Sequence, residues 1–596
     1  MSDQTESRKR FRRLSLTRFS VRKQANKAEK LTIRHAQKFI LSRVDNINAV
    51  KRFTITWLSV VVLLIIIAGL QLINYQRAFS HISQIPGGTF AEGVVGPLEV
   101  INPILASTPA EQSASRLVFS SLFDYDAANH IQGNLAQSWR IENDGLRYVI
   151  EMRDAILWQD KQEITADDVT FTISLIKNPL VKSPLYSSWS RIKVTKISER
   201  SIAFDLQKPY AAFLHALTFG IMPKHVLSQI PPDTLREADF NRQPIGSGPF
   251  QFDRLQVVNA SKNRLVIYLK QNTGYHRGTP NINKFQLHVY SGSEQVAEAF
   301  SRQEINAAGD LTSDQLYNLI KHNKTAVMQE QSLSSGMFAF FKTDSPNLQD
   351  VVVRRALRLA VDRQAIIDRL HGFASILEGP IPVELVATLK TKVQPEFNKN
   401  DAGKLLDSAG WQLKNGKRTK EGQLLSIKLV GIKSGDYPVL VEMLKKQWEA
   451  IGITVVPQLV DSSEVQQSVI IPRNYDVLVY ELAIGGDPDV TAYWHSAQAD
   501  PRGLNLSNYR SAAASEALSG AQARYDSGLR IPKYETFVDS WLADVPAVAL
   551  YLPQLHFITT SDVTTLLSNN AISDRTDRYR LVELWTANSG RVYNSP

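Results

Sequence analysis

The hydrophobic pattern of this chain changes once, sharply, near the N-terminus. From Phe53 to Gln76 there are 24 residues without a charge, and the apolar run Phe53–Ile73 inside them is 21 residues long. A helix rises about 1.5 Å per residue, so that run spans roughly 30 Å, the hydrocarbon thickness of a bilayer. Trp57 and Tyr75 lie near its ends, where amphipathic rings favour the interface. We expect an uncleaved membrane anchor. A buried core helix of this length without a charge is rare. A cleaved signal peptide has a shorter apolar region, about 7–15 residues, followed by a small-x-small site; Ala78-Phe79-Ser80 is a poor one.

Beyond the run the periods are short. Leu146, Tyr148, Ile150 and Met152 alternate as in a half-buried strand, and so do Phe285, Leu287 and Val289. Leu265–Leu269, Ile427–Val430, Ile453–Val456, Val477–Tyr480 and Ala547–Tyr551 are further strand candidates. Thr165–Ile176 reads as a helix capped by Thr165, with Asp168 three residues on. Val351–Leu370 reads as one Arg- and Ala-rich helix. Tyr437–Ile451 is another, ended by Gly452 before the strand at Ile453. Helix, glycine, strand in that order is a unit of an α/β domain. The roughly 510 residues after the anchor exceed what one core serves, so two or three lobes are expected.

Before the anchor, Lys27–Arg52 reads as an amphipathic helix, with Leu31, Phe39, Ile40, Val44, Ile47 and Val50 at near-helical spacing. Residues 1–52 hold 15 Lys and Arg against 4 Asp and Glu, a net of +11. The rest holds 53 basic and 54 acidic residues, a net of −1, so the basic balance belongs to the tail alone. Positive-inside bias puts that tail in the cytoplasm and the large C-terminal part outside, with the tail lying on anionic headgroups or docking a cytoplasmic partner. No basic footprint for nucleic acid exists in the large part. The chain has no Cys. That excludes disulfides, thiolate metal sites, Cys nucleophiles and attachment through a lipidated Cys.

Catalytic signatures are missing. There is no Gly-x-x-x-x-Gly-Lys-Ser/Thr loop, no His-Glu-x-x-His and no Gly-x-Ser-x-Gly. Gly246-Ser247-Gly248-Pro249 reads as a tight turn into a strand at Phe250 rather than a nucleophile. His495 beside Trp494 has no second His or carboxylate at ligand spacing. Asp487-Pro488-Asp489 is first of all turn chemistry. Asp167-Asp168 sit in the first turn of a helix, where carboxylates suit the dipole.

Several segments together resemble family 5 of the extracellular solute-binding proteins, the peptide and nickel receptors of ABC importers, in its oligopeptide-binding branch. They are Ile101-Asn102-Pro103-Ile104-Leu105, Arg116–Tyr125, Gly133–Trp139, Asp144–Tyr148 with Met152–Asp160, Ile164–Val169, Ile245–Phe250, Val353–Leu357 running on to Ala360–Arg363, Ser408–Trp411 and Trp448–Ile453. Tyr475–Tyr480, Gly486-Asp487-Pro488-Asp489 and Tyr493-Trp494-His495-Ser496 complete the series. Leu482 stands where the family usually has Trp, Gln303 where it often has Gly, and Phe341-Lys342 where it often has Asn-Thr. The Asp that holds a ligand's α-ammonium in well-known members has no counterpart in Leu482–Gly486; Glu481 is the nearby substitute.

The resemblance implies an α/β fold of the two-lobed, periplasmic-binding-protein-like kind (type II, large peptide-receptor class) with an extra subdomain, behind one transmembrane helix. The expected division is a basic cytoplasmic tail at 1–52, the anchor at 53–76, a linker at 77–90, and a first lobe in three pieces at 91–128, 236–291 and 549–596. That lobe's extra subdomain is expected at 129–235, and a second lobe at 292–548. The ligand would lie between the lobes, enclosed when they close. Its expected contacts are Asn102 and Tyr125 from one side and Tyr480, Glu481, Leu482, Ala483, Ile484, Gly485, Asp487 and Trp494 from the other. Each of these is also readable as a packing or turn residue. The implied function is capture of oligopeptides outside a single-pass membrane anchor and delivery to a permease and ATPases on other chains. No enzyme activity, cofactor or metal is implied. The alternatives are the same fold binding a metal chelate or oligosaccharide, and a sensor that signals through the basic tail.

Overall fold

The computed structural model describes residues 47–566 and 571–593. The basic tail up to residue 46, with most of the expected helix Lys27–Arg52, lies outside the described residues. The chain divides into two compact units, 1–83 with 591–596, and 84–590. In the first, one helix runs unbroken over Ile47–Phe79. Its segment Phe53–Asn74 is long and apolar enough to cross a membrane, and none of it is buried. The helix continues through the expected boundary at 76.

The second unit holds two large sheets that share a strand. In the first sheet Thr89–Val95 lies between Lys284–Tyr290 and Ala307–Ala308, parallel to both. The hairpin Phe250–Asn259 and Arg264–Gln271 extends this sheet beyond Lys284–Tyr290. In the second sheet Ser426–Ile432 lies between Thr454–Val460 and Val477–Ala483, and Ser335–Phe341 pairs antiparallel with the latter. The shared strand is Ala547–Thr560, 14 residues long. Its first half pairs with Ser335–Phe341, and its second half with Ala326–Ser332 and Ala307–Ala308. Among the described residues, the only other strands that run on from one sheet to the other are Ala326–Ser332 and Ser335–Phe341, separated by Leu333 and Ser334. We call the two sheets with their helices the first and second lobe.

Ala547–Thr560 is longer than the expected Ala547–Tyr551 because Pro553 looks like a strand terminator. Proline removes a ladder donor, but here it falls where the strand passes from one sheet to the other. There its carbonyl accepts from Leu333 N at 3.1 Å. The strand Ser335–Phe341 was missed for a related reason. Met337, Ala339 and Phe341 enter one core cluster and Phe338 and Phe340 another. An apolar run buried on both faces shows no alternation and cannot be told from a helix segment by period.

The other elements form where the side chains provide for them. Ala166–Ile176 begins with a capping box of Thr165 and Asp168. The expected single helix Val351–Leu370 is two, Val351–Leu359 and Arg363–Arg369, because Asp362 leaves the helix and caps the second by accepting from Ala365 N. Tyr437–Glu449 ends as expected near Gly452, whose φ of +89° suits glycine. Strand Arg147–Met152 buries Tyr148, Ile150 and Met152, while Leu146 falls in the preceding turn and is exposed. With Ala136–Glu142, Ser201–Asp205 and Lys193–Lys196 it makes a separate four-stranded sheet. That sheet shares one core with the first lobe, through Tyr148, Trp189 and Phe213.

His556, on the shared strand, is 6 % exposed, and its Nε2 has no hydrogen-bond partner among the described residues. Burial pulls its pKa from 6.5 down to about 4. A histidine depressed in the fold stabilises above its unfolded pKa, and that stability is lost as pH falls from 6.5 towards 4. The loss is on the order of 3 kcal/mol for a shift of this size. His556→Gln should flatten urea-unfolding stability against pH across that window. An unchanged slope would contradict the burial argument.

Candidate functional site

A cavity of about 510 Å³ lies between the two lobes. Its first-lobe wall starts with helix Pro109–Val118. Ala110, Ala114, Leu117 and Val118 recur on one side of that helix and enter the core. Gln112, Ser115 and Arg116 are left on the side that faces the cavity. Thr108 and Glu111 fix the start of the helix with a capping box. Asp124 and Tyr125 come from the short strand Phe123–Tyr125, Tyr210 and His215 from the segment that follows strand Ser201–Asp205, and Ser573, Asp574, Thr576 and Asp577 from near the C-terminus.

The second-lobe wall is the loop Ile484–Asp489. Strand Val477–Ala483 ends there because Ile484 and Gly485 both turn their N–H groups to Ser334 O, at 2.9 Å each. Gly485 takes φ +84°, which favours glycine. Asp487 Oδ1 accepts from Asp489 N at 2.9 Å, and Asp489 Oδ1 from Thr491 N at 3.0 Å. The turn chemistry read from the sequence is therefore present. Asp487 also receives a bidentate pair from Arg530, at 2.7 and 2.8 Å.

The two sides of the cleft touch at several points, Arg575 and Glu481 at 3.8 Å among them. Gly486 packs against Tyr125 and Ser573, Gly145 lies under the Tyr525 hydroxyl, and Ala211 N donates to Gln522 O at 3.1 Å. This is a closed cleft. On its floor Asp124 is held by Arg116 and Arg277, and Asp577 lies 3.7 Å from Arg580. Burial still pushes the Asp577 carboxyl up to about 6. Tyr125 Oη is 3.0 Å from His215 Nδ1. Burial raises the Tyr125 phenol to about 12 and lowers His215.

Of the expected ligand contacts, the structure brings Tyr125, Ile484, Gly485 and Asp487 together on this cavity. Tyr480, Glu481 and Ala483 lie on the strand leading to it. Glu481 accepts from Ser335 Oγ at 2.8 Å and lies 3.8 Å from Arg575. Three expectations need correction. Asn102 is fully buried and bonded to Asn241 Oδ1 and Ile104 N. Leu482 is in the core. Trp494 is fully buried among Phe338, Phe340 and Trp541. None of these three lines the cavity.

Sequence reasoning missed Tyr210, His215, Ser115, Asp574 and Asp577, which no local motif marks. Of the residues weighed for catalysis, Ser247 is buried and bonded to Ser120, and His495 accepts from Ala497 N with Ser519 Oγ on its other nitrogen. Among the described residues no group of three or more His, Asp or Glu could hold a metal.

A second cavity of about 600 Å³ is lined by Gln132, Arg153, His276, Arg277 and neighbours, all first-lobe residues. It does not join the lobes, so the interlobe cleft is the candidate site.

Comparison with known proteins bears on this geometry. The family model for bacterial extracellular solute-binding proteins, family 5 Middle, matches residues 130–503, more than half of the chain. The oligopeptide-binding protein AppA of Bacillus subtilis is 27% identical over 517 residues, covering 84% of this chain and 92% of its own. Its structure in complex with a nonapeptide superposes with a TM-score of 0.71 at 24% identity, over 85% of this chain and 99% of that one. NikZ of Campylobacter jejuni in complex with Ni(L-His) also gives a TM-score of 0.71, at 25% identity over 84% of this chain and 99% of that one.

Proposed function

Since the chain belongs to the bacterial extracellular solute-binding proteins of family 5, we propose that it captures oligopeptides in the interlobe cleft and presents them to a permease. The family supplies the substrate-binding components of ABC importers for peptides and nickel, so this chain is a receptor and not an enzyme. The single observation that carries the peptide reading is the cleft itself. It lies between two lobes, beside a second-lobe strand end whose loop, Ile484–Asp489, offers main chain to the cavity. Main-chain pairing binds a peptide with little regard to its sequence. The oligopeptide-binding relative of Bacillus subtilis supports the same reading.

In the same proposal the helix Ile47–Phe79 stays attached and anchors the receptor, with its basic N-terminal tail in the cytoplasm and the lobes outside. Tethering raises the concentration of the cleft near its permease. Loaded lobes would dock there, and ATPases on other chains would drive transfer.

Purification of the full chain from membranes, followed by mass spectrometry of co-bound small molecules, tests the assignment. Peptides are expected; recovery of non-peptidic molecules alone would remove it. The intact mass of the same sample should include residues 1–80, whereas a shorter chain would show the helix to be a cleaved signal.

One observation favours a second reading, a metal chelate as cargo. The half-buried His215 in the cleft, whose pKa burial lowers, favours the neutral imidazole that binds metals, and a similar structure is that of NikZ in complex with Ni(L-His). Recovered nickel or another metal in that preparation would decide for it.

A further inference from the structure

The described residues that line the cleft include five aspartates, Asp124, Asp487, Asp489, Asp574 and Asp577, but Arg116 is their only Lys or Arg. Arginines inside or behind the wall match three of these carboxylates. Arg116 and Arg277 flank Asp124, Arg530 holds Asp487, and Arg580 and Arg116 lie beside Asp577. Asp489 and Asp574 have no such partner. Asp489 accepts from Thr491 N and from Gln522 Nε2, at 3.0 Å each. Asp574 accepts from the amide and hydroxyl of Thr576, at 2.7 and 2.6 Å. Both form hydrogen bonds with neutral groups and ion pairs with none among the described residues. Arg575, the neighbour of Asp574, is turned to Asp310 at 3.5 Å and Glu481 at 3.8 Å.

A second observation points to a ligand. Ser115 lines the same cavity, is 5 % exposed, and its hydroxyl has no hydrogen-bond partner among the described residues. A buried hydroxyl without a partner is uncommon in a native fold and costs stability until something bonds to it. Asp489 belongs to the second-lobe wall and Asp574 to the first. When a ligand fills the closed cleft and displaces water, both carboxylates lose solvation. A neutral or anionic ligand would leave that loss uncompensated.

We propose that the cleft selects cationic ligands, specifically peptides bearing Lys or Arg, with their charge paired to Asp489 and Asp574 and a polar group bonded to the Ser115 hydroxyl. This rests on the oligopeptide reading and adds a ligand class to it. Because the two carboxylates stand on opposite walls, a dicationic ligand also favours the closed arrangement over an open one.

The test is a competition on the full chain in detergent. The mixture contains three tetrapeptides that differ at one position only, Arg, Gln or Glu, together with free arginine, glutamine and glutamate. Retained species are quantified by mass spectrometry after dialysis. The Arg peptide is expected to exceed its Glu twin by about tenfold or more, the scale of one partly screened ion pair. In Asp489→Asn/Asp574→Asn, whose amides can still serve the turn and the cap, that gap should close while retention of the Gln peptide holds. Ser115→Ala should weaken all three peptides together. Equal retention of the Glu peptide, a gap that survives the double substitution, or no retention at all would overturn the proposal. Retention of free arginine with rejection of every peptide would uphold the charge selection and overturn the oligopeptide reading instead.

Discussion

Replacing Arg578 by Met should cost the fold about 3–5 kcal/mol, the scale seen when one partner of a buried ion pair is removed. Arg578 is 2 % exposed, and Glu92, on the central strand Thr89–Val95, is 0 % exposed. The guanidinium donates to one carboxylate oxygen of Glu92 at 2.9 and 2.7 Å, and the Tyr579 hydroxyl donates to the other at 2.8 Å. Methionine keeps much of the arginine's volume but removes the counter-charge and the guanidinium's hydrogen bonds to Arg575 O, Ser113 Oγ and Tyr579 Oη. Burial already pushes the Glu92 carboxyl up, and Arg578 pulls it back. Without Arg578 the carboxyl favours its protonated form in the fold. A carboxyl raised in the fold stabilises below its unfolded pKa and loses that stability as pH rises. The deficit of the variant is therefore largest at neutral pH and shrinks in acid. Urea unfolding at about pH 7 and pH 5 reads both effects. Adding Glu92→Gln to the same chain should recover much of the loss. A variant within about 1 kcal/mol of the parent at neutral pH would mean that the pair does not hold the two ends of the first lobe together.

Gly486→Val should weaken ligand capture by roughly five- to 150-fold, the affinity equivalent of about 1–3 kcal/mol of overpacking. It should barely move the melting temperature of the empty protein. A Cβ at position 486 would lie 2.5 Å from the Tyr125 ring and 2.9 Å from Ser573 Oγ. Tyr125 is 5 % exposed and its hydroxyl is tied to His215, so the ring has no room to swing aside. The clash exists only where the two walls meet; an open arrangement has none. Titration of the same peptide into parent and variant measures the loss, and Gly486→Ala should fall between them. Unchanged affinity in the valine variant would show that capture does not require the walls to touch at this point.

The sequence disclosed the parts of this molecule that rest on neighbours in the chain. The Thr165–Asp168 capping box, the glycine stop at Gly452 and the Asp487–Asp489 turn are all local, and each is where the residues placed it. The interruption at Asp362 was also local and was overlooked, because an Asp within an apolar period reads as the polar face of one helix until its side chain is seen to cap the next. The cleft is different. Its walls come from residues 103 to 577, and no spacing links Ser115 to His215 or to Asp574. Nearness in sequence also failed as a guide. Trp494 and Leu482 lie close in sequence to true lining residues, but both are taken up by the core of the second lobe. A large aromatic near a binding loop is as readily claimed by packing as by a ligand. The charge that lines the cleft is invisible in the composition, where residues 53–596 are nearly neutral.

The shared strand Ala547–Thr560 sets the order in which this protein becomes finished. It contributes to every core cluster: Phe557 to the first lobe, Val548 and Ala549 to the two faces of the second, and Leu555 and Ile558 to the two smaller ones. A chain that emerges N-terminus first therefore completes neither lobe until its last tenth arrives. Ala307–Ala308 and Ala326–Ser332 pair with the shared strand, and at about 5–20 residues per second the interval between them and their late partner is roughly 10–50 s. Through that interval those two first-lobe strands wait with an unpaired edge, open to proteases and to holding chaperones. A receptor cut short before residue 547 leaves two unfinished sheets, with no intact lobe to spare.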